Sequence, residues 1–485
     1  MGDTAETGRL TEAITRLLPE LERVWRWQEP GAVGAERDIW LPALDRPMPV
    51  AGVGVDQVLD ELCRYVVPYG PRIGQPGFSG WIENGPTTTG VLANLAATAA
   101  GPHRYLLTAP AHLEGLALEW MQSLLGVPAG HQGLFSPGGS VANLVGLGAA
   151  RQAAYEARGV DPAAEGIDGP GRVYASVEAH HTIARSAAVL GLGRNSVHPI
   201  PVDGCQRVDV AAIARAIAAD QEAGLVPVAI VGTAGTTNTG AIDPLDELAD
   251  LAAATGVWLH VDGAYGLLAA CLPELAPRFA GLARADSAIV DPHKWLSAPI
   301  GIGATFVRDA DLLKRAFTEG AADYLEGSFT TEAPESIFDS MGADYADWGV
   351  ELTAPARGMV VWALLRELGI EGVRATVRRD LGFARRLEDR VRNEPRLELL
   401  TEAELSVVCF RFVPDGVTDE AALEALNAQV LRRLHRDTTF VPSSTKVGGR
   451  YALRPCFINP RTTEADVDGL ADAVLAIGAE LSSGG

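Results

Sequence analysis

Apolar residues recur at helical spacing near the start of the chain, at Leu10, Ile14, Leu17, Leu18, Leu21 and Trp25, and predict an amphipathic helix over residues 10–27. A helix with such a stripe and little core behind it is suited to packing on a partner. Residues 28–54 are rich in Pro and Gly and read as an extended connector, after which helices are expected over residues 55–66, 89–100 and 110–125. From there to Val307 the pattern changes. Short apolar runs at 173–175, 196–199, 228–231, 258–261, 287–290 and 304–307 alternate with helices of ten or more residues. That alternation predicts an α/β domain built on a mainly parallel sheet. Residues 308–353 have few periodic apolar positions, and a long irregular stretch inside a compact protein is usually functional. Helices at 359–369, 373–394, 420–436 and 463–481, with strands at 407–412 and 451–454, then suggest a smaller α+β domain.

Composition narrows the function classes. Hydrophobic residues make up 47% of the 485 and charged residues 21%, enough apolar material for a large core. Forty Lys plus Arg against 62 Asp plus Glu give a formal charge of -22, a field that disfavours nucleic acid and anionic lipid as partners. The five cysteines, Cys63, Cys205, Cys271, Cys409 and Cys456, form no CxxC and no Cys/His cluster, so neither a disulfide framework nor a metal site is expected. No run reaches the ~18 uninterrupted apolar residues of a membrane span, and the first residues lack a signal-like apolar core. The expected location is cytoplasmic.

Five stretches of the α/β region carry candidate chemistry. In Ser287-Ala-Ile-Val-Asp-Pro-His-Lys-Trp295 a buried strand is stopped by Pro292, which delivers Lys294 to a strand end, where open α/β sheets keep their ligands. A lysine in a desolvated pocket can form a Schiff base; its ordinary counterpart is a surface lysine in a loop. Ser136-Pro-Gly-Gly-Ser140 leads straight into an apolar helix, and glycines at a helix N-terminus let backbone N–H groups approach an anion. The ordinary counterpart is a glycine-rich turn with a serine cap. His260-Val-Asp-Gly-Ala264 ends a strand in Asp262, a carboxylate that would suit a protonated pyridine nitrogen or simply cap a turn. His180 and His181 follow the strand at 173–175, and either imidazole could lie against a heteroaromatic ring or be an ordinary structural histidine. The loop Gly235-Thr-Thr-Asn-Thr-Gly240 adds hydroxyls at the end of another strand, or a polar turn. Jointly they place a phosphate cradle, a stacking imidazole, a carboxylate and a lysine at successive strand ends, the set that pyridoxal 5'-phosphate requires.

With Asp291-Pro-His-Lys-Trp295, His260-Val-Asp-Gly-Ala-Tyr265, Gly138-Gly-Ser-Val-Ala-Asn143 and Ala179-His180 in this order, the chain resembles the group II pyridoxal-phosphate-dependent amino-acid decarboxylases, which include the aromatic-amino-acid and glutamate enzymes. The resemblance runs from Pro76 to Asn459. It implies the fold type I (aspartate aminotransferase-like) architecture and three parts: an N-terminal helical segment, 1–75, packing on a dimer partner; a large cofactor-binding domain, 76–353, with a mobile catalytic loop at 318–345; and a small C-terminal α+β domain, 354–485. Residue by residue, it implies that Lys294 carries the cofactor, Asp262 pairs with the ring nitrogen, and His180 and Ala264 sandwich the ring. Gly139 and Ser140 would hold the phosphate with help from Asp291 and His293, and Thr237 would lie near the substrate carboxylate or ring oxygen. Tyr324, in the irregular stretch, would return a proton to Cα after CO2 leaves; Tyr345 is a second candidate.

The expected reaction is decarboxylation of an L-amino acid to its amine in a homodimer with the active site at the subunit interface. Trp81, Ile82, Arg104 and Tyr105 are the expected substrate-pocket residues. Trp81 and Tyr105 suit an aromatic side chain, which is the reading adopted, whereas Arg104 would suit a carboxylate. The alternatives are an acidic substrate, decarboxylation coupled to oxidative deamination with release of an aldehyde, and a cofactor-binding homologue without catalysis. The helix after the irregular stretch departs from the family pattern by lacking its double arginine and lysine, although Arg357 is present.

Overall fold

The computed structural model describes residues 4–26, 36–101, 109–318 and 345–483. Twelve strands occur among the described residues: β1 (Phe78–Ser79), β2 (Gln132–Ser136), β3 (Gly171–Ser176), β4 (Val197–Ile200), β5 (Val226–Thr233), β6 (Trp258–Asp262), β7 (Ser287–Val290), β8 (Gly303–Val307), β9 (Leu397–Thr401), β10 (Cys409–Phe412), β11 (Val441–Val447) and β12 (Arg450–Arg454). Contacts divide the chain into two compact units, one of Pro86–Ala384 with Thr401–Val407, the other of Met1–Gly85, Arg385–Leu400 and Val408–Gly485.

The first unit holds a seven-stranded sheet in the order β2-β8-β7-β6-β5-β3-β4. From β4 to β7 the pairing is parallel, while β8 runs antiparallel to β7 and β2 antiparallel to β8. Val228–Val231, Leu259–Val261 and Ala288–Val290 are buried without interruption, because helices on both faces leave a parallel strand no polar side. The alternation of apolar runs and helices therefore read the sheet correctly, apart from β2. That edge strand pairs only with β8 and lies between a helix and the Pro137-Gly138-Gly139 turn, whose punctuation hides it. Strand order reverses between β3 and β5, and the carboxyl ends of strands on either side of such a reversal form a ready crevice. The helix Gly139–Glu156 packs across β5 to β8, with its buried side made of Ala142, Asn143, Val145, Gly146, Ala149 and Ala150 among others.

Two local expectations are corrected. Within the expected extended connector at 28–54, Arg37–Leu44 is helical although it buries no side chain, so this short helix carrying Pro42 presents no buried stripe in the sequence. Within 308–353, Ala310–Phe317 is a helix capped by Asp309, whose carboxylate accepts from the Asp311 N–H. The helical stretch Arg357–Asn393 is broken at Gly369, where φ is 61° and ψ 176°, a backbone glycine adopts without a steric cost. This is the break expected between the helices at 359–369 and 373–394.

The second unit carries a five-stranded sheet in the order β1-β11-β12-β10-β9. Phe78–Ser79 adds in parallel to Val441–Pro442, and β11, β12 and β10 pair antiparallel. The helices Glu420–Asp437 and Glu464–Ser483 cover it. Buried Asn427 ties the first helix to β10: its carbonyl accepts from the Phe412 N–H at 2.8 Å and its amide donates to the Phe412 carbonyl at 2.8 Å. Residues 76–85, expected with the α/β region, thus join the C-terminal strands.

Candidate active site

The residues singled out for cofactor binding converge on one cavity of about 300 Å³ in the first unit. Gly139, Ser140, His180, Thr237, Asp262, Ala264, Asp291, His293 and Lys294 all line it, and each comes from the start of a helix or the carboxyl end of a strand. The size lies at the lower end of the roughly 300–1,000 Å³ of small-molecule pockets.

The helix Gly139–Glu156 opens onto the cavity. Gly138 has φ 101°, and a Cβ built on Gly139 would lie 2.6 Å from Asp291 Oδ2, so both positions need glycine for the helix to begin this close to the β7 turn. The first N–H groups of a helix have no intrahelical acceptor and carry its partial positive charge, which suits this end to an anion.

Asp262 ends β6 with its carboxylate buried. Oδ1 accepts from the Ala264 N–H at 3.1 Å and Oδ2 from the Asn143 amide at 3.1 Å. His180 follows β3; its Nδ1 lies 2.9 Å from the Thr182 hydroxyl, and its ring centroid is 4.1 Å from that of His181. Burial lowers the His180 pKa, with Asp262 pulling the other way. Of the two adjacent histidines, His180 lines the cavity and His181 is exposed.

Lys294 sits in the turn after β7, its Nζ 3.1 Å from Asp291 Oδ2, and its side chain is 22% exposed. It is ion-paired and partly open rather than sealed in an apolar pocket. Its backbone is anchored by the next residue: Trp295 is 1% exposed, stacks on Tyr265 at 5.2 Å and donates its indole N–H to Asp380 at 2.8 Å. The chain contains three lysines, and the other two, Lys314 and Lys446, are exposed.

Asp380 carries a testable cost. Burial raises its pKa from 3.8 to about 6, against the pull of Arg379. Below pH 3.8 folded and unfolded chains are both protonated there; between 3.8 and about 6 the unfolded chain ionises first, so stability is lost as pH rises through the folded pKa. Asp380→Asn protein is expected to lack this loss, so its unfolding free energy relative to wild type should rise by about 2–3 kcal/mol from pH 3.5 to pH 7. Denaturant titrations at the two pH values check this, and a difference that does not change with pH contradicts it.

Trp81 and Ile82 belong to the second unit. Trp81 is 62% exposed and holds a left-handed backbone, φ 47°, fixed by the Arg454 guanidinium on its carbonyl and by its own N–H on Ser443; Ile82 is buried. Arg104, Tyr105 and Tyr324 lie outside the described residues. Tyr345 is buried edge-on against Trp348. Asn143 also lines the cavity, a role the sequence does not mark because a helix-interior asparagine shows no periodicity of its own. Arg357 is buried, forks onto Glu351 at 2.7 and 3.0 Å, and donates to the carbonyl of Gly301, which lines the cavity.

An anion site at a helix start, an imidazole, a buried carboxylate and an amine around one crevice of a mainly parallel sheet define the class of fold type I pyridoxal-phosphate enzymes. The comparisons with known proteins narrow the class. Residues 41–413 match the model of the pyridoxal-dependent decarboxylase conserved domain, and the chain belongs to that family. It is 33% identical to the tryptophan decarboxylase TDC1 of Camptotheca acuminata over 72% of this chain and 69% of that one. It is 29% identical to the aromatic-L-amino-acid decarboxylase of Bacillus atrophaeus over 92% and 90%. The solved structure of Oryza sativa TDC with PLP and tryptamine superposes with a TM-score of 0.87 at 26% identity, covering 99% of each chain. The protein is a pyridoxal-phosphate-dependent amino-acid decarboxylase, a carboxy-lyase. Among the described residues, no helix is long and apolar enough to cross a membrane.

Proposed function

We propose that this enzyme decarboxylates an aromatic L-amino acid to its amine, with Lys294 as the amine that holds the cofactor. The observation that carries the reading is the convergence of Lys294, Asp262, His180 and the Gly139 helix start on one cavity. The preference for an aromatic side chain is supported by relatives named as aromatic-L-amino-acid and tryptophan decarboxylases.

The residues present fit the cofactor. The glycine cradle, which a Cβ at Gly139 would fill, takes the phosphate through the N–H groups and the Ser140 hydroxyl. The Asp262 carboxylate would hold a proton on the ring nitrogen, and His180 and Ala264, which both line the cavity, would hold the ring between them. Bound pyridoxal phosphate supplies the electron sink that lets the Cα carboxylate leave as CO2. Lys294 would supply the amine that holds the cofactor, and Thr237 would meet the substrate carboxylate or the ring oxygen. Tyr324 returns the proton to Cα, as the family resemblance implies. Asp291 keeps the Lys294 ammonium within 3.1 Å in the resting site.

The chain further reads as a homodimer whose active site is completed at the subunit interface. The N-terminal helix offers exposed Leu10 and Leu18 as part of an apolar face. Five free cysteines suit a reducing, cytoplasmic setting.

The test is incubation of the holoenzyme with tryptophan, tyrosine, phenylalanine, glutamate, aspartate and cysteine sulfinate while CO2, amine, H2O2 and aldehyde are followed. One amine per CO2, with kcat/KM for an aromatic substrate at least about tenfold above any acidic one, is expected. A preference for an acidic substrate overturns the aromatic assignment, and aldehyde with H2O2 in excess of amine overturns the product.

A further inference from the structure

We propose that Asn143 is a positioning residue that locks the Asp262 carboxylate and the His180 imidazole to each other, and that buried His260, backed by Ser287 and Trp258, sets the orientation of the Asn143 amide. The inference rests on the roles proposed above for Asp262 and His180.

Asn143 lies one turn into the helix that forms the anion site, so the same helix start that would hold the phosphate also places this amide. It is 1% exposed and uses every hydrogen-bonding group it has. Its nitrogen donates to Asp262 Oδ2 at 3.1 Å and to the Thr182 hydroxyl at 3.2 Å; its oxygen lies 2.8 Å from His260 Nε2. The chemistry of the neighbours fixes which way round it sits. A carboxylate only accepts, so the amide nitrogen must face Asp262, and the amide oxygen, which also only accepts, requires a hydrogen on His260 Nε2.

The rest of the chain follows from that one hydrogen. Complete burial pushes the His260 pKa down to about 4, so the ring is neutral, carries a single N–H and leaves Nδ1 bare. Nδ1 then accepts from the Ser287 hydroxyl at 2.8 Å, and the Ser287 oxygen accepts from the Trp258 indole N–H at 2.8 Å, a group that can only donate. At the other end, the Thr182 hydroxyl accepts from Asn143 and turns its own hydrogen toward His180 Nδ1 at 2.9 Å. The Thr182 N–H points to the same nitrogen at 3.4 Å. His180 Nδ1 is therefore an acceptor, and its proton sits on Nε2. Every donor from Trp258 onward points the same way, and the series divides at Asn143 into a branch to Asp262 and a branch to His180.

A second feature shows that the close approach is built in. Gly146, on the same face of the helix as Asn143, stands where a Cβ would lie 2.6 Å from His260 Cε1 and 2.8 Å from Nδ1. Glycine there lets the helix press onto the His260 ring, and the 2.8 Å bond from His260 to Asn143 spans the same contact. In the described cavity, Asn143 touches the lining while His260, Ser287 and Trp258 lie behind it. They act through Asn143.

The test compares Asn143→Leu, His260→Phe and His260→Gln with wild type and with Asp262→Asn. Two readouts besides turnover are used: the dissociation constant of pyridoxal phosphate from the apoenzyme, and the pH dependence of the bound cofactor's visible absorbance. Leucine keeps the branch at Cγ without either amide donor, and phenylalanine keeps an aromatic ring at position 260 without its N–H. Each is expected to weaken cofactor binding about tenfold and to displace the absorbance titration by about one pH unit. Glutamine can place an N–H near the position of His260 Nε2, and His260→Gln is expected to return to within about threefold of wild type. A purely steric role would make glutamine the more damaging change. Wild-type binding and titration in Asn143→Leu and His260→Phe, with Asp262→Asn impaired, overturn the inference while leaving the role of Asp262 intact. Unchanged binding and titration in Asp262→Asn overturn that role and the inference with it. If His260→Phe does not fold, the comparison of His260→Gln with Asn143→Leu decides, and equal impairment overturns the inference.

Discussion

Lys294→Ala enzyme is expected to lose decarboxylation by a factor on the order of 10⁴ or more and to bind pyridoxal phosphate without the visible absorbance of the attached cofactor. The argument starts from the local sequence. Strand β7 is apolar and buried, Pro292 ends it, and the next turn puts the Lys294 N–H on the Asp291 carbonyl at 2.9 Å. Trp295, held by Asp380 and Tyr265, keeps the following residue from moving, so the amine's reach is set by its own side chain alone. No neighbouring lysine can substitute: Lys314 lies on the exposed side of the helix Ala310–Phe317, and Lys446 is in the second unit, paired with Glu424 at 2.8 Å. Alanine leaves the strand, the turn and the tryptophan contacts in place. The protein should therefore fold with a wild-type melting transition while turnover collapses. Turnover within about tenfold of wild type would remove Lys294 from the chemistry.

Asp262→Asn enzyme is expected to fall by a factor on the order of 10³ in kcat. The substitution keeps the shape and leaves one oxygen to accept from Asn143 or Ala264, so little of the packing changes. What it removes is the negative charge. A carboxylate beside the ring nitrogen favours the protonated ring, and a neutral amide does not, so electrons from the breaking Cα–carboxylate bond find a weaker sink. The loss should appear in kcat at saturating substrate, because the charge acts on the barrier more than on substrate binding. A rise in KM at constant kcat would show that Asp262 serves binding alone.

Most of the sheet was legible because its strands are buried on both faces and separated by long helices, a pattern that apolar runs report directly. The six strands read in the α/β region lie where expected to within three residues at each end. What was not legible has a physical cause in each instance. Gln132–Ser136 is an edge strand against a glycine turn, Arg37–Leu44 buries nothing, and Leu397–Thr401 has three half-buried positions in five that blur alternation. At the site, residues delivered by punctuation were readable: Lys294 after Pro292, Asp262 at a strand end, Ser140 after paired glycines. The supporting residues were not. Asn143 and His260 sit inside a helix and a strand, and nothing local separates a buried polar side chain with partners from one without. Only the fold brings Asn143, 117 residues before His260 in the chain, to 2.8 Å from it.

The central claim is that the cofactor is attached to Lys294, and the most direct measurement is reduction of the holoenzyme with borohydride followed by peptide mass mapping. With three lysines in the chain the possible answers are few. The expected result is one pyridoxyl group per chain, on the peptide that contains Asp291-Pro-His-Lys294. A pyridoxyl group on Lys314 or Lys446, or no covalent label in protein that decarboxylates its substrate, would contradict it.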